Sequence, residues 1–287
     1  FFSLRGGPEK CKLPWKNPKM SIPSTDAEWA TMIAKFEEPG PDQCRPLSPP
    51  ASPLQIPAMI DHTLLKEPIK PQQIDILCQE AKENGFATVC VRLPYVAQAA
   101  ANLKDTPQVG VACVVGFPEG THDTQDKVKE AREAVAQGAR ELDMVINYPK
   151  LKSGEYMAVH KDIQAVREAA PSPVLLKAII EASELDKGQI IAATIIACMA
   201  GVDFVKTSTG YKGPATPEQV TIMRSSAQGA GYHTVGIKAS GGIRNATDSL
   251  RMVKAGATRI GASAGVNIVR ELNDSEILEQ GASHAVY

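Results

Sequence analysis

Ala200-Gly201-Val202-Asp203-Phe204-Val205-Lys206 joins the end of one buried element to the start of another. The apolar run from Ile190 to Val202 is too short to span a bilayer and reads as a buried helix. Gly201 falls where that helix needs a left-handed C-terminal cap, and Asp203 to Lys206 then reads as a short strand. The same mark recurs as Asn84-Gly85 before Ala87–Val91, Gln137-Gly138 before Glu141–Ile146 and Ala255-Gly256 before Thr258–Gly261. Successive marks are about two strand–helix units apart. Reading the joints between them predicts eight strands, at 56–61, 87–92, 109–115, 141–146, 173–180, 203–207, 234–239 and 258–262. Near-continuously apolar strands alternating with Ala- and Glu-rich helices imply a parallel sheet covered by helices. Eight such units predict an α/β protein with a closed (β/α)8 TIM barrel; a doubly wound open sheet is the alternative.

Residues 1–54 are of another character. Pro39-Gly-Pro-Asp-Gln-Cys-Arg-Pro-Leu-Ser-Pro-Pro50 excludes a helix or strand of any length, so this N-terminal extension is expected to be largely irregular. A short helix is expected at 26–36, where Trp29, Met32, Ile33 and Phe36 repeat at helical spacing behind the capping candidates Ser24-Thr25-Asp26. The barrel domain is assigned to 55–272, and 273–287 to a flexible C-terminal tail. The chain opens on Phe1 with neither an initiator methionine nor a signal-peptide core, so the true N-terminus is expected upstream.

Composition narrows the classes of function. A hydrophobic content of 43% supplies a large core, and a net charge of -1 gives no bulk attraction to nucleic acid or to an acidic membrane. Any anion site must be local. The 6 cysteines form no CxxC pair or framework, which favours reduced thiols and a cytoplasmic location. The 5 histidines are scattered, so no metal site is expected.

Reactive groups of a barrel project from the C-terminal ends of its strands. Lys206 and Lys238 end the sixth and seventh strands, flanked by Phe204, Val205, Val235 and Ile237. Burial disfavours an ammonium. Lowering a lysine by ~3 units costs about 4 kcal/mol and leaves roughly a quarter neutral at pH 7. A second cation nearby assists such a shift, and the product is an amine nucleophile suited to imine chemistry. Either lysine alone could simply snorkel to water; two on adjacent strands beside glycine-rich loops argue otherwise. Asp61 and Asp143 are candidate proton carriers, although Asp61 could cap a helix and Asp143 could pair with Arg140. Lys177 and Glu181 serve equally well as a structural ion pair and are supporting residues only.

The loops Thr209-Gly210-Tyr211-Lys212-Gly213, Ser240-Gly241-Gly242-Ile243-Arg244 and Gly261-Ala262-Ser263-Ala264-Gly265 follow strands six to eight. Glycines let backbone N–H groups approach an anion, and following helices add positive potential, so these loops form a candidate phosphate cradle. Tight strand–helix turns would look the same. Cys90 reads by default as a small buried hydrophobe that could face substrate. Tyr287 could fold its phenol over the barrel mouth from the tail.

Asp61-His-Thr-Leu-Leu65, Gly116-Phe-Pro118, Glu141-Leu-Asp-Met-Val-Ile-Asn147, Lys177-Ala-Ile-Ile-Glu181, Phe204-Val-Lys-Thr-Ser-Thr-Gly210, Ile237-Lys-Ala-Ser-Gly-Gly-Ile-Arg244 and Arg259-Ile-Gly-Ala-Ser263 together resemble the deoxyribose-phosphate aldolase family, over about 56–272. The resemblance implies a cofactor-free class I aldolase, a carbon–carbon lyase splitting 2-deoxy-D-ribose 5-phosphate into D-glyceraldehyde 3-phosphate and acetaldehyde. Its substrate and partner set would be these small molecules, with a homodimer as the assembly and no nucleic acid or membrane. Carried over, Lys206 resembles the Schiff-base lysine, Lys238 the cation that lowers its pKa, and Asp143 the proton-relay carboxylate. Asp61 and Thr63 fall where the family supports the relay and the substrate hydroxyls. Cys90, Thr209, Gly210, Lys212, Gly241, Gly242, Gly261 and Ser263 complete the expected substrate-binding set, and Tyr287 resembles a terminal tyrosine that assists proton transfer in some members. Two departures lie at the phosphate end: Tyr211 stands where members carry lysine, and Ala264 where a second serine is common. A lysine-dependent aldolase of another sugar phosphate and a silent phosphate-metabolite binding barrel are the competing readings.

Overall fold

The computed structural model describes residues 21–36 and 55–284. Its strands are β1 (Ile60–Thr63), β2 (Thr88–Val91), β3 (Gly110–Val115), β4 (Glu141–Val145), β5 (Leu175–Ile179), β6 (Phe204–Lys206), β7 (Gly236–Ser240) and β8 (Arg259–Ala262). All pair in parallel in chain order, and β1 also pairs with β8, which closes the barrel and excludes the open sheet. Around it run α2 (Pro71–Asn84), α3 (Val96–Leu103), α4 (Thr124–Ala136), α5 (Tyr148–Lys152), α6 (Tyr156–Ala169), α7 (Lys187–Met199), α8 (Pro217–Gly229), α9 (Ala246–Lys254) and α10 (Gly265–His284), preceded by α1 (Asp26–Ile33).

The local rules behind the prediction operate as expected. Gly201, at φ +84°, follows α7 in the left-handed conformation that a Cβ would penalise. Ile190 to Cys198 are all buried, so α7 is apolar on every face because it is covered on every face. The first strand begins later than the expected 56: Pro57–Met59 form a 3-10 turn, and Pro57 has no N–H to give a ladder.

The helix expected at 26–36 is α1 followed by a 3-10 turn, Ala34–Phe36. Thr25 Oγ1 caps it, accepting from Glu28 N at 3.2 Å. Trp29 is fully buried, its ring 5.2 Å from that of His160, and Asp26 Oδ1 accepts from Met157 N at 2.7 Å at the start of α6. This part of the extension is therefore packed on the barrel's helical layer. At the other end, the assigned boundary at 272 falls inside α10, which continues to His284; Leu278, Glu279 and Gln280 favour that continuation. The Pro-rich stretch at 39–50 and Tyr287 lie outside the described residues.

Candidate active site

Strand alternation sends every second side chain into the barrel. Asp143 is aligned with Lys177 across β4 and β5, and Lys206 with Lys238 across β6 and β7. The result is a tight ring. Asp143 Oδ2 accepts from Lys206 Nζ at 2.8 Å and from Lys238 Nζ at 2.7 Å, while Oδ1 accepts from Lys177 Nζ at 2.6 Å. Asp61 Oδ2 pairs with Lys238 and, at 3.3 Å, with Lys177. Neither alternative for the acids holds: Asp61 caps no helix, and Arg140 donates instead to the carbonyls of Pro107 (2.7 Å) and Val109 (2.6 Å).

These groups are almost wholly withdrawn from water. Burial drives the Lys206 ammonium below the ordinary lysine range, with Lys238 adding to the effect and Asp143 opposing it. Burial works against the Lys238 ammonium too, but Asp143 and Asp61 together hold it above its usual value. Burial would raise Asp143 as well; Lys177, Lys206 and Lys238 override that and keep it well below the usual carboxylate range. Two adjacent lysines thus receive opposite treatment, one pushed below the ordinary lysine range and the other held above it.

Two participants were not singled out from sequence. Glu141 Oε2 lies 2.6 Å from Lys177 Nζ, and Arg259 Nη1 donates to Asp61 Oδ1 at 2.6 Å and reaches Glu141 Oε2 at 3.1 Å. A charge at the beginning of a strand reads naturally as solvent-facing. The available signal was parity: Glu141 shares a strand face with Asp143.

Of the remaining candidates, Cys90 is buried in β2 within reach of the same charges, and burial pushes its thiol up. Thr63, ending β1, donates to the Asp61 carbonyl at 2.9 Å. Thr209 is held by Glu181, whose buried carboxylate accepts from its N–H at 3.3 Å and its hydroxyl at 2.5 Å. Glu181 itself adopts φ +52°, a left-handed backbone unusual for a side-chain-bearing residue.

The loops after β6 and β7 interlock. Ser240 Oγ donates to the Ser208 carbonyl at 2.6 Å, and Ala215 N to the Gly241 carbonyl at 3.0 Å. At φ +94°, Gly241 turns left-handed within 3.4 Å of Gly210 Cα from where its Cβ would stand. Gly210 and Gly242 are exposed beside it, as is Ser263 at the end of β8. Gly261 is not in a loop but within β8, where a Cβ would lie 3.0 Å from Lys238 Cε. Lys212 is exposed, with its charge acting on the Tyr148 phenol after β4.

Tyr211 crosses the barrel mouth. Its hydroxyl donates to the Leu65 carbonyl at 3.2 Å, its ring meets Phe117 edge-on at 5.3 Å, and Arg92 lies over the Phe117 ring, 5.1 Å from its centroid. A cavity of about 470 Å³ lined by Leu175, Arg224, His233 and Thr258 opens at the opposite end of the strands, away from the amines. Among the described residues, no helix is long and apolar enough to cross a membrane.

Residues 56–273 match the family described as DeoC/LacD family aldolase. A deoxyribose-phosphate aldolase of Coccidioides immitis is 49% identical over 85% of this chain and 91% of its own length. A crystal structure from the same organism, provisionally designated a deoxyribose-phosphate aldolase, superposes with a TM-score of 0.80 at 46% identity, over 88% of this chain and 98% of that one. The deoxyribose phosphate aldolase of Aeropyrum pernix, described as tetrameric, gives a TM-score of 0.72 at 30% identity, over 85% of this chain and 98% of its own. With its closed barrel, its buried lysine pair and a match over most of its length, the chain belongs to the DeoC/LacD family of aldolases.

Proposed function

We propose that this protein is a Schiff-base aldolase that reversibly cleaves 2-deoxy-D-ribose 5-phosphate to D-glyceraldehyde 3-phosphate and acetaldehyde, with Lys206 as its nucleophile. The observation carrying this reading is the shared oxygen: Lys206 and Lys238 both contact Asp143 Oδ2, yet only Lys206 is driven below the lysine range. The aldolase relatives at about half identity support the substrate assignment.

In the cleavage direction the neutral Lys206 amine adds to the substrate aldehyde, giving a carbinolamine. Asp143, with water, moves a proton onto the departing hydroxyl, and loss of water leaves a protonated imine. That cation draws in the electrons of the C2–C3 bond as the C3 hydroxyl loses its proton. Glyceraldehyde 3-phosphate departs and an enamine remains on Lys206. Protonation of the enamine carbon and hydrolysis release acetaldehyde and restore the amine. Lys238 remains cationic throughout, favouring the neutral form of Lys206 between turnovers. The substrate phosphate is assigned to the cradle of Gly210, Gly241, Gly242 and Ser263, whose N–H groups need no ionisable partner.

Borohydride reduction in the presence of acetaldehyde or deoxyribose 5-phosphate, followed by peptide mass mapping, tests this reading. An adduct on Lys206 is expected. Ligand binding without any adduct would instead favour a phosphate-metabolite binding barrel. A homodimer is the proposed assembly, to be read by light scattering; the tetramer described for the Aeropyrum protein is the alternative result.

A further inference from the structure

The barrel interior holds four basic groups, Lys177, Lys206, Lys238 and Arg259, against three acids, Asp61, Glu141 and Asp143. One positive charge is in excess unless one base is neutral. Arg259 cannot give up its proton. Lys177 touches all three carboxylates, and Lys238 touches Asp61 and Asp143. Lys206 has Asp143 alone. It is therefore the base with least to lose on becoming neutral.

We propose that Glu141 and Arg259, which do not touch Lys206, set the charge on this amine as an opposed pair: Arg259 occupies carboxylate charge that would otherwise hold Lys206 protonated, and Glu141 limits that effect. The inference rests on Lys206 being the imine-forming lysine. Two chains of contacts transmit the effect. One runs from Arg259 through Asp61 and Lys238 to Asp143; the other runs from Glu141 through Lys177 to the opposite oxygen of Asp143. Arg259 is itself fixed from below, its guanidinium 5.0 Å from the Phe204 ring centroid. Gly236 makes room for that ring, because a Cβ there would overlap it.

The other titratable groups facing this interior are Cys90 from β2 and Glu181 after β5; Cys113, aligned with Leu142, points outward from β3. Burial keeps the Cys90 thiol protonated, and Glu181 is occupied by Thr209. They are common to every variant below, so they do not distinguish them. Both proposed groups are positioning residues, acting on the reacting amine through others.

The test is the pH dependence of borohydride trapping of acetaldehyde on Lys206, followed by mass mapping of its peptide. Arg259→Met removes a positive charge, which makes the Lys206 ammonium easier to keep and moves the trapping midpoint to higher pH. Glu141→Gln removes a negative charge and moves it to lower pH. About one unit in each direction is expected for a unit charge inside a barrel at an effective dielectric of ~20. The Glu141→Gln, Arg259→Met double variant should return close to the wild-type midpoint, and Arg259→Lys, which preserves charge, should stay near it. A purely structural role would lower adduct yield without opposed shifts. Shifts of the same sign, or unmoved midpoints with adducts still forming, overturn the inference; so does proton uptake by Asp61 or Glu141 in Arg259→Met, which would leave that midpoint in place. If Arg259→Met does not fold, Glu141→Gln and Arg259→Lys still decide the matter. Absence of any wild-type adduct on Lys206 would overturn the aldolase reading itself, and this inference with it.

Discussion

Lys206 and Lys238 are lateral neighbours on β6 and β7, and their Nζ atoms meet the same oxygen of Asp143, at 2.8 and 2.7 Å. A single carboxylate oxygen cannot compensate two ammonium groups as well as it compensates one. The tie is broken by Asp61, which contacts Lys238 and not Lys206.

Lys238→Leu should therefore do two things together. The Lys206 ammonium loses its nearest repulsive neighbour, so its pKa rises and imine formation moves to higher pH. Turnover should fall by about 10²-fold or more, as for loss of a group supporting proton transfer. A pH profile of kcat/KM and of borohydride trapping checks both, and an unchanged profile would remove the role assigned to Lys238.

Acid should destabilise the fold through this same cluster. Asp61 and Asp143 have folded pKa values below their unfolded ones, burial being overridden by Lys177 and the neighbouring cations. Their contribution is complete above the unfolded value near 4 and is lost as pH falls from there toward the folded values. Tm measured from pH 7 down to pH 3 should fall most steeply below about pH 5, and Asp143→Asn should flatten that slope. The substitution also leaves buried lysines with fewer partners, so at pH 7 it should cost about 3–5 kcal/mol in urea unfolding.

The eight strands and their closure were legible because the determinants are local: glycine caps such as Gly201, helices such as α7, and apolar strand runs. That Lys206, Lys238, Asp143 and Asp61 would come together was legible for a related reason, since strand ends in a barrel converge. What escaped was depth. Glu141 and Arg259 stand at strand beginnings, and sequence cannot show that Phe204 and the small Gly236 close the barrel below them. The packing of α1 was equally hidden, because its amphipathic pattern identifies a helix and not the surface it covers.

Trp29→Ala measures that packing. The indole is fully buried against the helical layer, and truncation of a buried tryptophan costs about 3–5 kcal/mol. Urea unfolding should show that loss with kcat nearly intact, since α1 packs on α6 and α7 rather than at the mouth. A large fall in kcat at unchanged stability would place the extension in the site instead.

Gly261→Ala probes the space above the cationic lysine. The added methyl would lie 2.8 Å from Ser240 Cβ and 3.0 Å from Lys238 Cε. The lysine end can yield; the serine Cβ cannot without moving its strand. Overpacking should cost about 1–3 kcal/mol, with a larger proportional loss in kcat than in substrate affinity because Lys238 is displaced. Wild-type kcat at unchanged stability would show that the strands separate freely there.

Tyr211 separates mouth architecture from imine chemistry. Its hydroxyl bond to Leu65 ties the loop after β6 to the loop after β1, and its ring stands edge-on to Phe117. Such a hydrogen bond contributes about 1 kcal/mol and such a ring pair about 0.5–1.5 kcal/mol. Tyr211→Ala removes both and frees the loop carrying Gly210, so KM for deoxyribose 5-phosphate should rise roughly tenfold. Trapping of acetaldehyde on Lys206 should keep its pH midpoint, because acetaldehyde carries no phosphate and the charge cluster is untouched. Tyr211→Phe retains the ring contact and loses only the hydroxyl, so its KM should fall between the two. Equal losses for the phosphorylated sugar and for acetaldehyde would mean that Tyr211 acts on the amine, and the phosphate end of the site would then have to be sought elsewhere on the mouth.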